Sequence, residues 1–169
     1  MKQKYSGANT SVNHTKPPAI VKLVTKIDGW RMGSINVDFG CGAHPEIMSE
    51  ILYREHGVYN MPVDPHWGFD PDIKLLNIIG AGSVTISNVL NVIKEKKLRL
   101  NLLRQAKKIR ARLNYITVYE GDKSGKGRET KPDCWQENRK TESYMNEIKK
   151  VFGAGQVHRL GKLIIVYGK

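Results

Sequence analysis

The sequence is short of cysteine, of acidic residues and of long apolar runs. Its two cysteines, Cys41 and Cys134, stand far apart. They supply neither a disulfide framework nor the clustered ligands of a structural zinc site, so no metal is expected. Their scarcity fits a reducing compartment, and the chain reads as cytoplasmic. No apolar run approaches the roughly 20 residues that span a bilayer, so no membrane role is expected. The opening MKQKYSGANTSVNHTKPP is polar and lacks the apolar centre of a secretory signal. Acids are outnumbered, 16 Asp+Glu against 28 Lys+Arg, for a net charge of +12. That balance favours nucleic acid or another polyanion as a partner and speeds encounter with it. The plain alternative is a small soluble protein that happens to be basic.

At 169 residues, with 40% hydrophobic and 26% charged, the chain suits one globular domain with a sizeable core. Residues 1–16, rich in Ser, Thr, Asn and Lys, read as a flexible N-terminal arm, and residues 17–169 as the domain. Pro17-Pro18 and the apolar positions Ile20, Val21, Leu23, Val24 and Ile27 predict a helix over 17–28. Strands are expected at 35–39, 59–63, 83–87 and 115–119, where β-branched runs are bounded by turn residues. A helix from Pro45 to Gly57 separates the first two strands, and 71–79 allows a short one. The clearest helix covers 94–113, with Leu98, Leu102, Leu103, Ala106, Ile109 and Leu113 on one stripe and Lys97, Arg104 and Lys108 opposite. A glycine- and charge-rich loop over 121–139, a helix over 140–152 and a terminal hairpin around Gly161 complete the chain. Alternating strands and helices imply an α/β fold, a single Rossmann-like three-layer α/β/α sandwich. Its sheet is expected to be mostly parallel and seven-stranded, one strand more than these six segments supply, with an antiparallel C-terminal hairpin. The sequence leaves the oligomeric state open.

Ligands in such sheets bind beyond the carboxyl ends of the strands. Gly40-Cys41-Gly42 stands there, directly after the first strand, where glycines permit a sharp turn and close approach of a ligand to the backbone. A bare Gly-x-Gly is weak evidence, since ordinary turns contain it. Asp38 lies two residues earlier, and Asp64 ends the next strand, 22 residues after Gly42. A carboxylate at that place can accept from both hydroxyls of a ribose; Asp64-Pro65 also reads as a plain turn.

The run Val37-Asp38-Phe39-Gly40-Cys41-Gly42, a helix, and a strand ending in Asp64 resemble the first two motifs of class I methyltransferases. Ser87-Asn88-Val89-Leu90-Asn91-Val92-Ile93 resembles their fourth-strand motif, in the form found in methyltransferases beside DNA-modification systems. The basic helix, the Ile116-Thr117-Val118 strand and the ending Leu160 to Tyr167 fit the same group, so the likeness runs from about residue 35 to 169.

The resemblance implies S-adenosylmethionine as cofactor and methyl transfer as the activity. Asp38, Phe39 and the main chain of Gly40, Cys41 and Gly42 would surround the methionine portion. Asp64 would take the ribose, Pro65 and His66 the adjacent wall, and Asn88 and Val89 the methionine or sulfonium end. The adenine partner would come from residues 69–73. Candidate substrate-facing groups are Asn91, Tyr119, Glu120 and Trp135; no catalytic residue is assigned.

Two departures stand out. His44 replaces the third glycine of the longer motif, as a loop residue or an ordinary surface histidine. Asn88-Val89-Leu90-Asn91 lacks the prolines and aromatic of amino-methylating enzymes, and Cys134 follows Asp133 rather than proline, so neither adenine-N6, cytosine-N4 nor cytosine-C5 chemistry is indicated. Tyr119 reads equally as packed. Trp135 reads as a base-stacking group or as a pin holding its loop. Between 94 and 112, nine Lys/Arg face a single acid, Glu95, which gives either a solvated helix face or a phosphate track. A catalytically silent module of the same fold, binding nucleic acid or a protein partner, is the alternative function. A different Rossmann-type nucleotide enzyme ranks last, because Pro45 breaks the stricter glycine pattern.

Overall fold

A computed structural model describes residues 4–5 and 16–168; the arm assigned to residues 1–16 lies largely outside them. In chain order the elements are α1 (Ala19–Thr25), β1 (Ile35–Phe39), α2 (Pro45–His56), β2 (Tyr59–Val63), α3 (Ile73–Ile79), β3 (Ser83–Ser87) and α4 (Lys96–Lys108). Then come β4 (Leu113–Thr117), β5 (Arg128–Lys131), β6 (Cys134–Gln136), α5 (Met145–Phe152), β7 (Val157–Leu160) and β8 (Leu163–Tyr167). The main sheet has the order β2-β1-β3-β4-β8-β7, with β8 antiparallel to both of its neighbours and the other neighbouring pairs parallel.

The sheet therefore has six strands, not the seven expected. Between β2 and β3 the chain carries Pro65, Gly68, Pro71 and Gly80, and such breakers deny it a further strand. It makes one 3-10 turn over Pro65–Trp67, a single bridge between Asp64 and Phe69, and the short α3. β2 is thus an edge strand, which is where its Pro62 is tolerated. The 121–139 segment is also more ordered than a loop, because β5 and β6 pair as a small separate hairpin with a bulge between Glu129 and Lys131.

Local signals explain most boundaries. α2 opens with Pro45 in its first turn and closes on Gly57, whose φ of 62° lets the Val58 N–H reach back to Leu52 O. α4 is shorter than its apolar stripe, because Arg110 turns left-handed at φ 55° and frees Leu113 to begin β4. The strand accordingly starts two residues before the predicted Tyr115 and leaves Val118 and Tyr119 beyond the ladder.

One face of the sheet packs α3, α4 and α5 through Leu76, Leu103, Ile148 and Phe152 against Val37, Phe39, Ile86 and Ile116. The other packs α1 and α2 through Ile20, Val24, Met48 and Leu52 against Tyr115, Leu163 and Ile165. Each such side chain contributes roughly 1.5–3 kcal/mol on burial. Among the described residues, no helix is long and apolar enough to cross a membrane.

Candidate functional site

The strand order reverses direction at β1, with β2 on one side and β3 on the other. At such a switch point the loops diverge and leave a crevice beyond the strand ends. The loop after β1 and the loop after β3 meet there. Gly40 (φ 72°) turns away from the strand while its N–H still donates to Val63 O at 2.7 Å. Val89 lies directly over it: a Cβ at Gly40 would fall 2.5 Å from the nearer Val89 methyl. Gly42 also has positive φ (73°), but a Cβ there would meet nothing within 4 Å. Gly40 is thus required by packing, whereas Gly42 faces open space.

Asp64 closes the loop from the other side. Its Oδ2 accepts from Gly42 N–H at 3.1 Å and its Oδ1 from His66 N–H at 3.2 Å. A carboxylate has about four acceptor positions, so roughly two remain for a ligand.

Asp38 is held differently. Alternation along β1 puts Val37 and Phe39 in the core and turns Asn36 and Asp38 to the opposite face, both buried. There the strands carry a polar row. Ser83 donates to Asn36 Oδ1 at 2.8 Å; Asn36 Nδ2 donates to Asn60 Oδ1 at 2.8 Å and to Thr85 Oγ1 at 2.9 Å; Thr85 donates to Asp38 Oδ1 at 2.8 Å. Asn60 continues the row to Ser49 on α2. Asn36 thereby fixes the Thr85 hydroxyl so that its proton points at Asp38. The Asp38 side of this row lies at the carboxyl end of β1, two residues before Gly40.

Asp38 is 4% exposed, and no Lys or Arg pairs with it among the described residues. Burial pushes its carboxyl up to about 6, against the Thr85 hydrogen bond, with the Asp64 charge adding to the rise. Burial and the same two carboxylates push the Cys41 thiol up to about 12, so it stays protonated and is no nucleophile at neutral pH. In a chain of +12 this end of the sheet gathers two carboxylates, and among the described residues neither has a Lys or Arg partner. That charge pattern suits a cationic ligand with hydroxyls.

The structure thus brings together Asp38, Gly40, Cys41, Gly42, Asp64 and Val89. Phe39 points into the core and offers only its backbone. Pro65 and His66 form the exposed turn after Asp64. Asn88 adopts a left-handed φ of 57° and donates its N–H to Thr117 O at 3.0 Å. Of residues 69–73, Phe69 is tied back to Asp64 by two backbone bonds, and the side chain of Ile73 lies outside the described residues. His44 contacts Glu46 at 3.0 Å.

The four substrate-facing candidates fare unevenly. Asn91 is 2% exposed; its amide donates to Gln136 Oε1 at 3.2 Å and accepts from Tyr119 N–H at 3.3 Å. Glu120 accepts from the N–H and hydroxyl of Thr141, which hold its carboxyl below the usual carboxylate range. Trp135 stacks on Tyr5 with centroids 5.3 Å apart, carries the Lys94 ammonium at 4.5 Å and fills the space a Gly127 side chain would need. Tyr119, 61% exposed, is the one whose side chain is open to solvent. Sequence reasoning missed Asn36, Asn60, Ser83 and Thr85. Their signal was available, as polar residues on alternate positions of strands otherwise read as buried.

The sequence matches no family model and no curated protein sequence. Solved structures do match it. The N-terminal domain of EvdMO1, crystallised with SAH bound, superposes with a TM-score of 0.53 at 12% identity, over 89% of this chain and 80% of that one. The small RNA methyltransferase HEN1 gives 0.55 at 13% identity, over 94% of this chain but only 27% of its own. These likenesses show the fold, a Rossmann-like α/β/α sandwich.

Proposed function

We propose that the protein is an S-adenosylmethionine-dependent methyltransferase acting on a nucleic acid or an associated polyanion. The observation that carries this reading is the carboxylate couple, Asp38 and Asp64, without a Lys or Arg partner among the described residues and set around Gly40–Gly42 at the switch point of a methyltransferase-type sheet. Asp38 would accept from the ammonium of the methionine portion, a cation that relieves the cost of burying the carboxylate. Asp64 would accept from the ribose hydroxyls with the lone pairs that Gly42 and His66 leave free. Gly42 keeps the main chain open to close approach, and Val89 fixes the opposite lip. The cofactor, when bound, supplies an activated methyl group. The protein's part is to align an acceptor with that group and to exclude water, so a missing acid–base residue is no obstacle. The polyanion half of the reading rests on the +12 charge and on exposed Lys96, Lys97, Arg104 and Lys108 along α4.

The alternative, a silent module of the same fold, draws support from Asn91, Glu120 and Trp135, whose side chains serve internal contacts. Titration calorimetry with S-adenosylhomocysteine separates the two. The enzyme reading expects micromolar binding that Asp64→Ala weakens about tenfold or more, a loss of roughly 1.4 kcal/mol. Absence of binding by the wild type, together with steeply salt-dependent binding to DNA or RNA, would select the silent module.

A further inference from the structure

At the other end of the sheet, where β1, β3 and β4 begin, the loop between α1 and β1 walls a cavity of about 600 Å³. That size lies within the range of small-molecule sites, roughly 300–1,000 Å³. Trp30, Tyr115 and Tyr167 contribute rings to it; Asp28, Arg31 and Arg112 contribute charge.

The wall is fastened from within. Tyr115 donates its hydroxyl to Gly29 O at 2.9 Å, Trp30 its indole N–H to Thr25 Oγ1 at 3.2 Å, and Ser34 its hydroxyl to Arg31 O at 2.6 Å. Gly33 N–H donates to Gly57 O at 2.9 Å. Gly29 leaves no room to loosen, since a Cβ there would lie 2.6 Å from the Tyr115 oxygen. Trp30 and Tyr115 meet edge to face at 5.8 Å, and Tyr167 is braced edge-on by His158 at 5.4 Å.

The charged ends contrast with this frame. Among the described residues, the side chains of Asp28, Arg31 and Arg112 have no ion pair and no hydrogen bond. Two guanidiniums against one carboxylate leave the cavity cationic. Arg112 lies close enough to Tyr115 for its charge to oppose the rise that burial imposes on that hydroxyl. Rigid rings beside unpartnered guanidiniums and one acceptor fit a ligand with a flat face, a multiply charged anion and a hydroxyl or amino donor.

We propose that this cavity binds a nucleotide, its base against the Trp30 and Tyr167 rings, its phosphate on Arg31 and Arg112, and a ribose or base donor on Asp28. Aromatic rings accept any base, because every base has a π-face. Guanidinium is the side chain best matched to phosphate oxygens. A free mononucleotide and one residue of a nucleic-acid strand share this chemistry. The proposal does not depend on methyl transfer, since the cavity lies at the opposite ends of the strands from Gly40–Gly42.

The test is fluorescence or calorimetric titration with adenosine 5′-monophosphate and, separately, a short single-stranded oligoadenylate. Saturating S-adenosylhomocysteine, or Asp64→Ala protein, keeps the probes from the crevice. Replacing Arg31 and Arg112 together by alanine is expected to weaken binding about tenfold or more. Tyr167→Ala should weaken it several-fold, and Lys162→Ala, exposed on the turn between β7 and β8 and outside the cavity, less than about twofold. Thermal unfolding of each variant verifies its fold. Tight mononucleotide binding would identify a free nucleotide as the ligand; binding of oligoadenylate alone would identify a strand. If neither probe binds, or if Lys162→Ala weakens binding as much as the cavity pair does, the proposal is overturned.

Discussion

Gly42 donates its backbone N–H to the Asp64 carboxylate at 3.1 Å, joining the turn after β1 to the end of β2. The residue read as a ribose acceptor is therefore also a brace for the glycine turn. Asp64→Asn should separate these roles poorly, because an amide keeps one acceptor oxygen where the carboxylate offers two. We expect affinity for S-adenosylhomocysteine to fall about tenfold. The Gly42 amide should exchange faster with solvent, as read by hydrogen exchange on the free protein. Unchanged exchange would mean that the brace contributes nothing.

Asp38 should make the free protein less stable at high pH. Its carboxyl is raised to about 6 from an ordinary 3.8, so the folded chain holds this proton more tightly than the unfolded chain. The resulting stabilisation is full below the ordinary value and is lost as pH rises through about 6. Two pKa units correspond to ~3 kcal/mol. Asp38→Asn should accordingly be more stable than wild type at pH 8, with the gap closing toward pH 4, in paired urea titrations. Binding of S-adenosylhomocysteine by the wild type should weaken as pH falls through the same window, while the variant binds weakly throughout. A variant less stable than wild type at pH 8 would contradict the burial argument.

The elements and the crevice were legible because each depends on local chemistry: glycines after a β-branched strand, a proline opening α2, an aspartate ending β2. The strand count was not, since whether 65–80 adds a strand depends on the competition of Pro65, Gly68 and Pro71 with the sheet edge. Nor was the fate of the substrate candidates. Asn91 looks like a loop residue in sequence, and only the approach of β6 and of the chain after β4 commits its amide to Gln136 and Tyr119. Arg99 is hidden for the same reason: in sequence it is one of nine basic residues, and in space it is buried against α5.

Gly40→Ala should be costly twice over. Its φ of 72° is strained for any side chain, and the added methyl would meet Val89 at 2.5 Å. We expect about 2–4 kcal/mol of destabilisation, from strain of ~1–3 kcal/mol and from overpacking. Val89→Ala in the same chain should restore only the overpacking part, leaving the φ strain. Full recovery in the double variant, measured by urea unfolding, would show that the turn tolerates alanine.

α4 should divide into a structural cation and recognition cations. Arg99 is 3% exposed; it donates Nε and an η nitrogen to the Glu147 carboxylate at 2.9 and 3.0 Å, and its other η nitrogen to Ile93 O and Lys94 O. Burial would raise the Glu147 carboxyl, but the Arg99 bonds and charge, with Arg139 beside them, hold it below the usual range. Arg99→Ala should cost roughly 3–5 kcal/mol, because the buried Glu147 carboxylate would be left with only its longer contacts to Arg139. Arg104→Ala and Lys108→Ala, both exposed, should change stability by less than about 0.5 kcal/mol. If α4 meets phosphates, each should instead reduce the slope of log K against log salt for DNA or RNA by about 0.7–0.9. Equal slopes for wild type and both variants would leave α4 as a solvated face, and the +12 charge would then act through another surface.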